Sequence, residues 1–240
     1  MMGLALSRRA KLGLLLALLL GLIAFLPLRL ALGAFGLDRI GVSARSVQGS
    51  VWFGKAAQLN IGNLPVGTVS VGLSPVQLLV GRARLDIWRK AGAPDDIEGA
   101  VTAGVNRMGI DDVTGNIPLG PIFAPLPINA IQFSDVSAYF ANGACGHAEG
   151  RVRVYIGGEL PGLNLSQGLT GEVRCDGEAV LLPLVSQSGL EKFNLRIMAN
   201  GRYTTEMLVQ SSDPALGQGL DPVGFRRAGN GYTLRIDGTL

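Results

Sequence analysis

The chain has 240 residues, of which 48% are hydrophobic and only 16% are charged, with a formal net charge of +3 and 35 glycines. Three of the 21 basic residues, Arg8, Arg9 and Lys11, precede a long apolar run, and the remaining 18 balance the 18 acidic residues. The rest of the chain is therefore neutral. It carries no basic patch with interleaved aromatic residues, so nucleic acid is not an expected partner. Low charge with many glycines is typical of a β-rich protein with many turns.

An uncharged run from Leu12 to Leu28 contains seventeen residues, ten of them leucine. At about 1.5 Å per residue a helix of this length spans roughly 26 Å, close to the hydrocarbon thickness of about 30 Å. The basic side of such a helix stays in the cytoplasm. We therefore expect a cytoplasmic basic segment at 1–11, a transmembrane anchor at 12–35 and a periplasmic β-rich domain at 40–240. A signal peptide cleaved before Ala34 and a buried core helix are the alternatives.

From Ile40 the hydrophobic period changes from helical to alternating, which predicts strands. Ser74 and Pro75 are suited to begin a short helix that ends at Val80, with Gly81 stopping it. The strands predicted in this half lie at 42–48, 51–61, 67–72, 83–89, 97–105 and 108–113.

Four prolines fall between Pro118 and Pro127, so this segment is not expected to form a central strand. It is a candidate boundary between two lobes, near 117–128. Asp176-Gly177 and Asn200-Gly201 are typical of tight hairpin turns, and a second short helix is predicted at 213–217. The strands predicted in this half lie at 130–139, 148–155, 169–174, 179–186, 193–199, 202–209 and 232–236.

The chain contains two cysteines, Cys145 and Cys175. In an oxidising compartment an even pair favours a disulfide. Cys145 and His147 also place a thiol and an imidazole within reach of one metal ion. His147 is the only histidine, however, and a closed tetrahedral zinc site needs four ligands. The disulfide is the preferred prediction, and no metal ligand is assigned.

Two patterns resemble catalytic or nucleotide-binding motifs without completing them. Residues 49–56 follow most of the phosphate-loop pattern, but Ala56 stands where a serine or threonine must bind magnesium, and strand-forming residues fill the loop. We expect no nucleotide. His147 could act as a base only with Ser134 or Ser137, and nothing in the sequence marks such a pair. We therefore predict no catalytic or cofactor-binding residue and no enzyme.

Aromatic residues and the last strand offer two further alternatives. Trp52, Phe53 and Trp88 either form a recognition surface or, as alternating strand positions favour, belong to the core. The strand at 232–240 either closes the sheet or leaves an edge that a partner strand can join.

Several short motifs together resemble the type II secretion system protein N family. They are a Gly49-x-x-Trp52-x-Gly54 strand, a Leu-x-Pro75 segment ending at Gly81, and, further on, the cysteine pair and a closing Gly-Tyr-x-Leu strand. One departure is that Val71-Gly72 stand where the family pattern has a tryptophan. The resemblance assigns structural positions only, and it supplies no catalytic residue. These positions are Gly49, Trp52, Gly54, Pro75, Gly81, Cys145 and Cys175.

The resemblance implies a single-pass inner-membrane accessory subunit that works without a cofactor. Its implied partners are other type II secretion subunits and the inner-membrane lipid bilayer. The expected fold is mainly β: one N-terminal transmembrane helix, then a curved, mostly antiparallel sheet with one or two very short helices. A membrane-tethered protein that handles lipid in a β-groove is the alternative function, and a periplasmic hydrolase is a third.

Overall fold

The structure is a computed structural model of the chain. It describes residues 42–61, 64–92, 95–157, 160, 162–163 and 165–240, and, before these, residues 9–11, 13–15, 17, 21 and 25–28.

In the part of the chain that the structure describes, fifteen strands form a single sheet. Those of the first half are β1 (Val42–Gly49), β2 (Gly54–Ile61), β3 (Leu64–Leu73), β4 (Ala83–Arg89), β5 (Ile97–Ala103), β6 (Arg107–Pro118), β7 (Ile128–Ala141) and β8 (Ala144–Ile156). Those of the second half are β9 (Leu169–Glu172), β10 (Arg174–Asp176), β11 (Ala179–Ser186), β12 (Glu191–Ile197), β13 (Arg202–Gln210), β14 (Arg226–Ala228) and β15 (Gly231–Thr239). Helices α1 (Pro75–Leu79) and α2 (Pro214–Leu220) and two 3-10 turns (Gly120–Phe123, Asp221–Val223) connect some of them.

The strands follow one another across the sheet almost in chain order. The spatial order is β1 to β9, then β11, β12, β13, β15 and β14, while β10 pairs with β11 alongside this path. Each pairing is antiparallel. The sheet does not close on itself, because no described strand joins β1 to the other end. The prediction of a mainly β, mostly antiparallel sheet with few short helices is confirmed.

The sheet is strongly curved. Strands β5 and β12 are six steps apart in the sheet, which corresponds to roughly 29 Å in a flat sheet with about 4.8 Å between strands. Ile97 of β5 and Leu195 of β12 nevertheless line the same cavity. Register shifts between β5 and β6, β6 and β7, and β7 and β8 mark bulges that bend the strands. The curvature brings the two halves of the chain into one hydrophobic core.

The proline-rich segment between β6 and β7 packs onto the opposite half of the sheet. Its Phe123 is 3% exposed, and its ring lies 5.2 Å from Tyr203 and 6.3 Å from Phe193, measured between ring centroids. The Tyr203 hydroxyl donates a hydrogen bond of 2.8 Å to the Ile122 carbonyl. Pro118 still pairs with Ala130 at the end of β6, whereas the segment from Leu119 to Pro127 stays out of the ladder. The sheet continues from β6 directly to β7. A division into two lobes at 117–128 stays a prediction.

The predicted membrane anchor falls mainly outside the described residues. Residues 13–15, 17 and 21 are helical, and among the described residues no helix has both the length and the apolarity to cross a membrane. The last residues of the apolar run, which the sequence assigns to the anchor, contact the sheet directly. The Val51 amide donates a hydrogen bond of 2.9 Å to the Leu26 carbonyl, and Leu28 is only 1% exposed. The anchor itself stays a prediction.

Candidate functional site

The first motif of the sequence, residues 49–56, forms the turn between β1 and β2. Gly49 has a φ of +89°, which favours glycine, and a side chain there would lie 2.5 Å from the Phe53 carbonyl oxygen. Gly54 leaves room for the buried Leu28 side chain. Residues 51–53 belong to the turn, so the strand predicted from Val51 begins only at Gly54. A strand rather than a helix follows, so the loop lacks the geometry of a phosphate-binding loop.

Trp52 leaves this turn toward the sheet and packs partly buried against the core. A Cβ atom placed at Gly72 would lie 2.8 Å from the Trp52 carbonyl oxygen and 3.3 Å from the Trp88 ring. A bulky residue at Gly72 is therefore excluded by this packing. Phe53 is 81% exposed, so of the three aromatic residues only Phe53 lies fully on the surface.

Pro75 and Gly81 flank the short helix α1 that leads from β3 to β4. Pro75 occupies its first turn, as predicted, but the Ser74 side chain makes no capping hydrogen bond. Gly81 has a φ of +73° with open space around it. The two residues lie in an exposed connection, and their structural importance stays a prediction.

The predicted disulfide between Cys145 and Cys175 is present and joins the start of β8 to β10. The Cys145 amide also donates a hydrogen bond of 3.0 Å to the Glu178 carbonyl, in the turn between β10 and β11. The disulfide therefore connects the long β7–β8 hairpin to the second half of the sheet. Within the ladder, β10 pairs with β11 through only three residue pairs.

His147 does not form a nucleophile–base pair with either candidate serine. Its Nε2 lies 3.2 Å from a Glu149 carboxylate oxygen, and its ring stacks on Tyr139. The Ser137 hydroxyl accepts a hydrogen bond of 2.9 Å from the Asp112 amide. Within the described ranges no hydrogen bond joins His147 to a serine, and no group of three or more His, Cys, Asp or Glu residues could hold a metal ion.

The last strand, β15, leaves most of one side open. It pairs with β13 along its whole length, from Gly231 to Thr239. On its other side, β14 covers only Gly231 to Thr233. On this second side, no strand of the described chain lies beside residues Leu234 to Thr239. Of the two possibilities raised by the sequence, this strand provides an open edge.

The direction of the backbone groups on this edge follows from one hydrogen bond. The Leu240 amide donates to the Gly201 carbonyl at 3.0 Å. In an antiparallel ladder such groups alternate from residue to residue, so every second residue before Leu240 also faces β13. The residues between them direct their amide and carbonyl groups away from the sheet. Beyond the part covered by β14, these outward-facing residues are Arg235, Asp237 and Thr239.

Side chains on this edge alternate between the two faces of the sheet. Leu234 is 7% exposed and faces the core, whereas Arg235 and Asp237 are exposed and form an ion pair at 3.3 Å. The Thr204 hydroxyl donates a hydrogen bond of 2.6 Å to Asp237. This hydrogen bond, followed by that from Arg235, lowers the pKa of Asp237 below its ordinary value. The edge thus has one apolar and one charged face.

The concave face of the sheet encloses a second feature, an apolar cavity of about 340 Å³. Strands β3 to β7 form one wall and β11 and β12 form the other. No motif in the sequence indicated this cavity, because it depends on how far the sheet curls rather than on any local pattern.

The fold and these features define a curved antiparallel sheet that offers an open edge and an apolar hollow. The chain belongs to the type II secretion system protein N family, whose model matches residues 40–235. Membership makes it an accessory component of type II secretion and associates it with the cell envelope. No curated protein and no solved structure matches the chain significantly.

Proposed function

We propose that this chain is a non-enzymatic, single-pass inner-membrane subunit of the type II secretion system. In this proposal the apolar run anchors the chain from Leu12 up to the point where Leu26 and Leu28 join the sheet, the sheet lies in the periplasm, and the open edge of β15 pairs with a strand of another secretion subunit. The open edge is the observation that carries the proposal. The disulfide supports the periplasmic side, because such bonds persist in oxidising compartments. The balanced charge of the chain after Lys11 supports contact with protein rather than with nucleic acid.

This edge suits the addition of a partner strand because its outward amides are unpaired within the described chain and its side chains form one apolar and one charged face. Three outward amides, at Arg235, Asp237 and Thr239, lack a partner strand in the described chain. A strand that paired with them would gain main-chain hydrogen bonds for affinity. Its alternate residues would extend the apolar face beside Leu234, and the others would meet the charged pair on the opposite face. That pattern predicts a partner strand with alternating apolar and polar residues.

A proline substitution at Arg235 tests this edge. It removes an outward N–H while leaving the ladder to β13 intact, because the Arg235 amide does not face β13. Arg235→Ala is the matched control, since it removes the same side chain but keeps the N–H. Each variant is purified from native membranes as the full chain, and the co-purifying secretion subunits are quantified. We expect Arg235→Pro to recover about tenfold less than Arg235→Ala, the value of one to two backbone hydrogen bonds, because the two variants lack the same side chain and differ in the outward N–H.

Thr239→Pro with Thr239→Ala repeats the comparison at a second outward amide. Circular dichroism of each variant checks that the sheet is intact. Equal recovery from a folded Arg235→Pro or Thr239→Pro variant would contradict pairing through β15. Failure of the wild-type chain to recover any secretion subunit would contradict the secretion role altogether.

A further inference from the structure

The proposed strand pairing at β15 does not use the apolar cavity on the concave face. Its wall consists of aliphatic and phenylalanine side chains, and no polar atom of the described chain contributes surface to it. The single charged residue of the wall, Glu98, is exposed and alternates with the buried Ile97, so it contributes backbone rather than its carboxylate. A ligand in this cavity would find no hydrogen-bond partner and no charge. Only an apolar group is compatible with such a lining.

The lining of the cavity is more deeply buried at one end, called the closed end, than at the other, called the open end, although Leu64 and Phe133 near the closed end are partly exposed. At the closed end Ile97, Ile117, Ile131 and Phe123 are each at most 7% exposed. Farther along the same strands, toward the β5–β6 turn, the wall residues become only partly buried. These partly exposed wall residues are Val101, Ile110 and Phe140. On β7 the wall runs from Ile131 to Phe140, a distance of nine residue steps or roughly 30 Å along an extended strand. The hollow is therefore elongated along the strands.

Its volume sets the size of the occupant. Apolar cavities do not take up water, and an unfilled cavity destabilises a protein in proportion to its volume. A cavity of about 150 Å³ accommodates benzene. The cavity of about 340 Å³ therefore accommodates roughly a dozen carbon atoms. An elongated hollow of that capacity, open at one end, fits one linear hydrocarbon chain whose polar end remains outside.

The surroundings of the cavity indicate a membrane lipid as the source of that chain. The sheet contacts the C-terminal end of the apolar run, through Leu26 and the buried Leu28. A membrane-inserted run would hold the sheet close to the bilayer. Beyond the open end, the β5–β6 turn exposes Val105 at 96% and the start of β6 exposes Met108 at 41%. Exposed apolar side chains at a rim favour contact with a lipid surface over contact with water.

We propose that the cavity binds one acyl chain of a membrane phospholipid, with the headgroup at the rim beside the β5–β6 turn. The site goes beyond the role in secretion and does not require it. Binding at this site and pairing at β15 use different elements, so each can fail without the other.

Photo-cross-linking of the full chain in vesicles tests the site. The vesicles contain phosphatidylethanolamine and phosphatidylglycerol with a trace of phospholipid carrying a diazirine at the end of one acyl chain. We expect cross-links on cavity wall residues, such as Phe123 and Ile131 at the closed end. A phospholipid with the diazirine in its headgroup should instead label the rim near Val105 and Met108. A free fatty acid with a terminal diazirine, at the same mole fraction, should label the wall less than the phospholipid does.

Filling the cavity provides the matched comparison. Ala138 lines the cavity, and Ala138→Phe adds a phenyl ring that needs about 150 of the 340 Å³. We expect about tenfold fewer wall cross-links, because the remaining space no longer holds the chain. Ser134→Phe places the same ring at an exposed position of β7 and should leave labelling unchanged. Val101→Phe fills the open end at a partly exposed position, where a larger side chain disturbs folding less.

Four outcomes would overturn the proposal. The first is that acyl labels are confined to residues outside the cavity, and the second is that wall labelling survives in folded Ala138→Phe and Val101→Phe variants. The third is stronger labelling by the fatty acid than by the phospholipid. The fourth is a co-purified peptide that occupies the cavity in place of lipid.

Discussion

At the residue scale, single contacts determine the character of the open edge. Asp237 is exposed, yet it accepts a hydrogen bond from Thr204 and pairs with Arg235. Its pKa is lowered, first by the Thr204 hydroxyl and then by Arg235. A lowered pKa means that the folded state favours the ionised carboxylate. The resulting contribution to stability is present above the ordinary pKa of an aspartate and is lost as the pH falls through the folded pKa.

Thr204→Val tests this account, because valine keeps the shape of threonine but donates no hydrogen bond. We expect the pKa of Asp237 to rise toward its ordinary value, as measured by an NMR titration of the labelled carboxyl carbon. Arg235→Ala, which removes the second cause, should raise the same pKa less. A wild-type pKa at or above the ordinary value, or no change in Thr204→Val, would show that the hydrogen bond does not act as described.

At the element scale, the disulfide connects two strands that the ladder holds unequally. β8 belongs to the longest hairpin, whereas β10 has only three residue pairs. The bond closes a loop with a sequence separation of 30. In the chain-entropy model a loop of this length corresponds to about 3–4 kcal/mol.

The double variant Cys145→Ala/Cys175→Ala should therefore lower the free energy of unfolding by about 3–4 kcal/mol. Denaturant titration followed by tryptophan fluorescence, from Trp52 and Trp88, measures this change. Ellman titration of the denatured, unreduced wild-type chain should find no free thiol, as the disulfide requires. Two free thiols would contradict the bond, and an unchanged midpoint in the double variant would show that it does not stabilise the sheet.

Most strands could be predicted from alternation, and the exceptions have identifiable causes. β6 was expected to end at Val113 but continues to Pro118, because Gly115 pairs with both Ile97 and Phe133 through bulges that a single sequence does not show. β14 has no apolar alternation, since all three of its residues are exposed. It forms only because the chain returns to β15. Turns do occur at Gly177 and Gly201, each with a positive φ, but Asp176 and Asn200 lack the positive φ that the predicted Asp-Gly and Asn-Gly turns require, and Asp176 pairs with Ala179 in β10.

At the scale of the whole molecule, one continuous sheet produces both candidate sites. Its curvature creates the apolar cavity, and its failure to close leaves β15 open. Neither property follows from local sequence, because both depend on the summed twist and bulges of many strands. The short motifs did identify the family, and the matched range of residues 40–235 spans all but the end of the sheet. The sequence thus identified the family, and the open edge of β15 is where we propose contact with another secretion subunit.

Site-specific photo-cross-linking in cells that assemble the secretion system tests the central claim most directly. A photoreactive amino acid replaces Thr239 on the open edge or, as a control, Ser134 at an exposed position of β7. The account predicts adducts with a type II secretion subunit from position 239, none from position 134, and none in cells that lack the other subunits. Equal adducts from both positions, or adducts from position 134 alone, would contradict pairing through β15.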